Sequence, residues 1–117
     1  MKQPGTSQLR AYKFAAESLV LSIDLTNRMS DSETVQGTPT VTSVIEGESG
    51  DSTLSLTSPA ANASIQKFPW GNVAIGKAIN VTVAGGVTGK TYRVKFVWAT
   101  QTASTKEYHG LLTVSAD

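Results

Sequence analysis

The chain has 117 residues and 12.3 kDa, one His, no Cys, and a formal net charge of +1 from ten Lys and Arg against nine Asp and Glu. This length supports one domain with its own apolar core. The missing thiols exclude disulfide scaffolds, thiolate zinc sites and cysteine nucleophiles, and so small a cationic surplus argues against nucleic acid as a partner.

Met1–Arg10 (MKQPGTSQLR) is polar, with no apolar core of a secretory signal. No apolar run approaches the roughly 20 residues that span a bilayer, so a soluble protein is expected. With Pro4 and Gly5, this opening reads as an arm that is loose or ordered by a partner. Leu9–Ser18 (LRAYKFAAES) has two readings. Leu9, Tyr12 and Ala16 fall at helical spacing, though so short a helix is marginal alone; equally, the segment is an extended arm anchored by Tyr12 and Phe14.

From Leu19 the period becomes two. Leu19, Leu21 and Ile23 alternate with Val20, Ser22 and Asp24 as in a half-buried strand. Leu25–Ser32 is a connection. Thr34–Ile45 is rich in β-branched residues but interrupted by Gly37-Thr38-Pro39, so it reads as one kinked strand or two short ones, with Pro39 confined to an edge or bulge. Glu46–Ser52 reads as a hairpin loop, and Thr53–Thr57 as a strand ended by Ser58-Pro59. Asn62–Phe68 fits a short strand, Pro69–Asn72 a turn, and Lys77–Val83 a strand with Ile79, Val81 and Val83 on one face. Ala84–Lys90 is a glycine-rich hairpin turn. Thr91–Ala99 is the strongest strand, with Tyr92, Val94, Phe96 and Trp98 inward and Arg93 and Lys95 on the other face; Glu107–Val114 closes the series.

About seven strands with turn signals every 8–12 residues predict an all-β fold, an immunoglobulin-like antiparallel β-sandwich. A barrel is the alternative. The expected organisation is an N-terminal arm over residues 1–18 and a sandwich over 19–117. The Cys pair of antibody domains is absent, so the likeness is one of architecture.

Chemical motifs are few. Ala84–Thr91 (AGGVTGKT) is one residue from a phosphate-binding loop, with Ala84 in place of the first Gly. That loop needs a helix starting at its Lys, whereas Thr91 opens a period-two segment. His109 is the lone histidine and has no nucleophile motif beside it, so it is expected at a surface or interface. Glu46, Glu48 and Asp51 lack the spacing of a helix–loop–helix calcium site. Asn62-Ala-Ser and Asn80-Val-Thr match glycosylation sequons by chance. Trp98 belongs to the core, while Trp70, between Pro69 and Gly71, is a candidate contact residue. No catalytic residue, cofactor site or metal site is expected.

Val81–Val114 (VTVAGGVTGKTYRVKFVWATQTASTKEYHGLLTV) resembles the C-terminal part of small tailed-bacteriophage virion proteins of the fibre–tail adaptor or neck type. In those chains a strand, a Gly-Gly-x-x-Gly-x-x-Tyr turn, a long strand, a Thr/Ser/Gly turn and a last strand follow one another. Gly85, Gly86, Gly89 and Tyr92 hold the first turn, and Thr100, Thr102 and Ser104 the second; Glu107 precedes the last strand, which Leu112 and Val114 end. Leu21–Thr34 is similar to the family's opening, with Leu25 where Trp is frequent, and the stretch between the two regions departs from the pattern.

The resemblance implies a non-enzymatic, multi-copy immunoglobulin-like protein, assembled in the host cytoplasm into a virion and docked on other neck, tail or capsid proteins. It implies no cofactor, nucleic acid or membrane. Leu9, Tyr12 and Phe14 are then the expected interface residues of the arm, with Trp70 as a further contact. A cysteine-free fold suits a reducing cytoplasm, and near-zero net charge limits repulsion among crowded copies. A capsid decoration protein is the first alternative and a carbohydrate-binding module built on Trp70 the second. An enzyme would need a pocket joining His109 to a carboxylate and a hydroxyl.

Overall fold

Alternation of apolar and polar residues is the signal that becomes structure. In a computed structural model, which describes residues 10–14, 16–45, 54–69, 71–102 and 104–115, the chain forms nine strands among those residues. They are β1 (Arg10–Phe14), β2 (Leu19–Asp24), β3 (Val35–Ile45), β4 (Leu54–Ala61), β5 (Gln66–Phe68), β6 (Gly71–Val73), β7 (Ala78–Gly85), β8 (Thr91–Thr100) and β9 (Thr105–Ser115). One 3-10 turn, Thr26–Arg28, lies between β2 and β3.

Two sheets form an all-β sandwich. One has the order β1-β9-β8-β3 and the other β2-β7-β4, while β5 and β6 make a separate small hairpin. Every pairing is antiparallel except that of β1 with β9. Side chains alternate across each strand, so Leu21 and Ile23, with Ile79, Val81 and Val83, face Tyr92, Val94, Phe96, Trp98, Tyr108, Leu112 and Val114 in one buried cluster. Each fully buried side chain of this kind contributes about 1.5–3 kcal/mol relative to exposure.

Most strands lie where alternation puts them, and four features depart from the sequence reading. First, β4 does not stop at Ser58-Pro59 but runs on to Ala61. Its register on β7 shifts between Thr57 and Ala60, where Ser58 has φ 53°; a bulge absorbs the proline that would interrupt a regular ladder. Secondly, Ala84–Lys90 is not a hairpin turn. It carries the chain from β7 in one sheet to β8 in the other. Thirdly, Arg10–Phe14, read as part of the arm, is an edge strand of the chain's own sheet, pairing Arg10 with Leu111 and Phe14 with Ser115. Fourthly, the expected strand over Asn62–Phe68 is confined to Gln66–Phe68 and pairs with Gly71–Val73. The expected bulge in Thr34–Ile45 is present, as a register shift between Gln36 and Thr40 beside Gly37 at φ 68°.

Candidate functional site

The outer face of the four-stranded sheet carries exposed aromatic and cationic side chains together. Register and alternation bring together Arg10, Tyr12 and Phe14 on β1, Glu107, His109 and Leu111 on β9, Arg93, Lys95 and Val97 on β8, and Thr42 and Val44 on β3. Tyr12 and Phe14, on one edge strand, are 66% and 48% exposed, and Val44 is exposed on the opposite edge strand. Aromatic residues at this exposure are what interaction surfaces concentrate.

Buried polar ties hold this face in place. The alternation that turns Tyr12 and Phe14 outward turns Lys13 inward, where it is 2% exposed. Its Nζ donates to the carbonyls of Phe14 and Gly85, both at 2.7 Å. An ammonium desolvated this way is stable only when hydrogen-bonded, and the tie pins the edge strand to the end of β7. The Glu17 carboxylate accepts from the Phe14 N–H at 2.9 Å, and Glu17 N–H donates to the Phe14 carbonyl at 3.0 Å. Main-chain groups occupied by a turn are withheld from a further strand, so Phe14 presents its ring rather than its backbone.

The segment joining β7 to β8 is fixed from three sides. The Val87 N–H donates to the Tyr92 hydroxyl at 2.9 Å, the Gly89 N–H to the Val114 carbonyl at 2.7 Å, and the Val114 N–H to the Lys90 carbonyl at 2.9 Å. Gly86, at φ 98°, leaves no room for a side chain: an added Cβ would meet Val114 Cγ2 at 2.8 Å. Thr91 opens β8 directly, so no helix N-terminus stands where a phosphate loop would need one.

At the other end, buried Glu33 joins the link after the 3-10 turn to the β8–β9 turn. Its carboxylate accepts from Ser30 N–H at 2.9 Å, Thr102 Oγ1 at 2.7 Å and Thr100 Oγ1 at 3.0 Å, with Lys106 Nζ at 3.8 Å. The Ser30 backbone bond first, then the Thr102 hydroxyl, hold its pKa down from 4.5 to about 2. Arg28 caps the same end, its guanidinium 4.3 Å from the centre of the Tyr108 ring.

Of the residues singled out in the sequence, Tyr12 and Phe14 share the outer face, whereas Leu9 and Trp70 lie outside the described residues, as do Glu46, Glu48 and Asp51. Trp98 is in the core, and among the described residues its Nε1 has no hydrogen-bond partner. Asn62 is buried, its amide donating to the carbonyls of Ser64 and Ala74 while Oδ1 accepts from Gly76 and Ala78 N–H; it is a structural staple, not an accessible sequon. His109 stands on the outer face, its Nε2 3.7 Å from Glu107 Oε1. The sequence reading placed Arg93 and Lys95 away from the core but did not find that His109 and Thr42 flank them, because neighbouring strands are invisible in a one-dimensional pattern.

These features define an all-β sandwich with one cationic sheet face edged by aromatics. No protein-family model, curated protein or solved structure matches the chain, so the likeness read in Leu21–Thr34 and Val81–Val114 stands on those residues alone.

Proposed function

We propose that this chain is a non-enzymatic docking module with the immunoglobulin-like strand arrangement, a multi-copy component of a tailed-phage neck or tail that engages other virion proteins through the outer face of its four-stranded sheet. The observation that carries the docking role is the pair Tyr12 and Phe14, exposed on a short edge strand whose backbone is anchored from behind by Lys13. Rigidly held aromatics lose little conformational freedom on binding, and such residues dominate interface energetics. The strand order β2-β7-β4 against β9-β8-β3 supports the immunoglobulin-like reading. The neck or tail setting is supported by the glycine, tyrosine and threonine pattern of Val81–Val114.

The test is incorporation of tagged protein into purified particles. The unaltered chain is expected to co-purify at a low copy number set by the tail axis, and the double variant Tyr12→Ala/Phe14→Ala to be lost from particles while remaining folded. Equal incorporation of both would remove the docking role from this face. Hundreds of copies per particle would move the assignment to capsid decoration, and absence of the unaltered chain from particles would end the virion reading.

A further inference from the structure

We infer that β1 is an exchangeable strand: it seats on β9 of a second copy of this chain, so that the outer face of each four-stranded sheet is built from two copies. The exchange concerns contact between copies and does not require the docking role. Every other strand of the two sheets places at least one side chain in the buried apolar cluster, whereas β1 adds only the partly buried Ala11 against it. β1 is also an edge strand of five residues, and it makes the one parallel pairing among the described strands. Such a strand leaves without opening the core of its own copy, and a parallel ladder holds slightly less per residue than an antiparallel one.

The gap left behind is costly. Departure of β1 bares the edge of β9 from Leu111 to Ser115, where Leu112 and Val114 are fully buried with β1 in place. An open edge beside apolar side chains takes another strand, and the slot selects which one. It runs parallel to β9 and admits a small side chain opposite Leu112, where Ala11 sits. Opposite Val114 it admits a long side chain with a donor at its end, where Lys13 reaches the Gly85 carbonyl at 2.7 Å. Lys13 is 2% exposed there, and a desolvated ammonium needs such an acceptor. Ala11, Tyr12 and Lys13 meet this order of small, outward and long cationic side chains, so the strand that fits is β1 of another copy. The chain from Phe14 to Leu19, the end of β1 to the start of β2, spans at most about 18 Å. Donor and acceptor therefore lie side by side, and a reciprocal exchange closes as a two-fold dimer. Two hydrogen bonds between Glu17 and Phe14, at 2.9 and 3.0 Å, bend the chain back toward its own sheet and favour the unexchanged form at low concentration.

The chain has no Cys, so introduced cysteines report the exchange directly, and Arg10 and Leu111 are register partners. Chains carrying Arg10→Cys and Leu111→Cys are mixed in reduced form at high concentration and then oxidised. The comparison mixture is Lys67→Cys with Leu111→Cys, since Lys67 is exposed on the separate hairpin. The first mixture is expected to give disulfide-linked heterodimer at about tenfold or more the comparison yield, rising with concentration and further with Glu17→Ala. The double variant Arg10→Cys/Leu111→Cys, oxidised when dilute, is expected to close within one chain. By light scattering it should then stay a monomer at concentrations where its reduced form dimerises. Equal yields in the two mixtures, or equal self-association of the locked and reduced double variant, would overturn the inference. Failure of the dilute double variant to close would overturn it as well, by removing the β1–β9 pairing. Every arm uses purified chain alone, so a negative result here leaves the docking role standing, to be decided by incorporation into particles.

Discussion

The sandwich has two outer faces built by the same alternation, and they are chemically opposite. On the three-stranded sheet the outward residues are Val20, Ser22 and Asp24 on β2, Ser55 and Thr57 on β4, and Asn80 and Thr82 on β7. Among the described residues these outward strand positions hold no Lys, Arg or aromatic side chain, and Val20, 62% exposed, is their one large exposed apolar side chain; the β5–β6 hairpin is tied to this face through the Gln66–Asn80 side-chain pair. The four-stranded face holds Arg10, Arg93, Lys95 and His109 with Tyr12 and Phe14. Folding places no such demand on either surface: the inner layers alone supply the core. Three of the chain's ten Lys and Arg and two of its eight aromatic residues lie on the four-stranded face, with Glu107 as an accompanying acid, an arrangement that the inner layers do not require.

Several substitutions break or sharpen that contrast. The largest effect is expected from Phe96→Ala, which opens a cavity beneath both faces and should cost about 3–5 kcal/mol by denaturant unfolding; a loss below 1 kcal/mol would mean that the sheets do not share this core. Next comes Tyr12→Ala/Phe14→Ala, expected to weaken docking by about 2 kcal/mol or more at a stability cost of about 1 kcal/mol or less per site. Binding of the variant to particles and its thermal midpoint, read together, separate those two effects. Gly86→Ala is expected to lower stability by more than about 1 kcal/mol, since alanine must adopt φ 98° and displace Val114.

Glu33 tests whether the end of the sandwich away from the β7–β8 segment is held independently of the docking face. Its folded-state pKa, about 2, lies below the ordinary 4.5, so its contribution is fully present above pH 4.5 and fades as pH falls through about 2. Thermal unfolding from pH 6 down to pH 2 should show the decline, and Glu33→Gln should flatten that segment of the profile while lowering stability at neutral pH. The smallest effect belongs to the hydroxyl face, where Ser22→Ala and Thr82→Val are expected to change stability by about 0.5 kcal/mol or less and particle docking not at all.

Much of this architecture is legible in the residues because it rests on period two. Thr91–Ala99 alternates without a break and becomes β8 with its four large side chains buried as spaced; Gly37-Thr38-Pro39 announces the bulge in β3. What escapes the sequence is pairing at a distance. Nothing near Arg10 says that its neighbour is Leu111, and nothing in AGGVTGK distinguishes a turn within one sheet from a crossing between two. Ser58-Pro59 reads as a stop because proline cannot donate to a ladder, yet a residue at φ 53° and a register shift carry β4 past it. Lys13 did leave a signal: once Tyr12 and Phe14 are both outward, the residue between them must point in. Glu33 left only a partial one: its bond with Ser30 is local, three residues away, but its partners Thr100 and Thr102 lie 67 and 69 residues away.

The most direct test of the central claim is hydroxyl-radical footprinting of the chain alone and within its assembly, comparing Tyr12 and Phe14 with Val20. The account predicts strong protection of Tyr12 and Phe14 on assembly and unchanged labelling of Val20. Protection of Val20 with Tyr12 and Phe14 still open would place the interface on the hydroxyl face and contradict it.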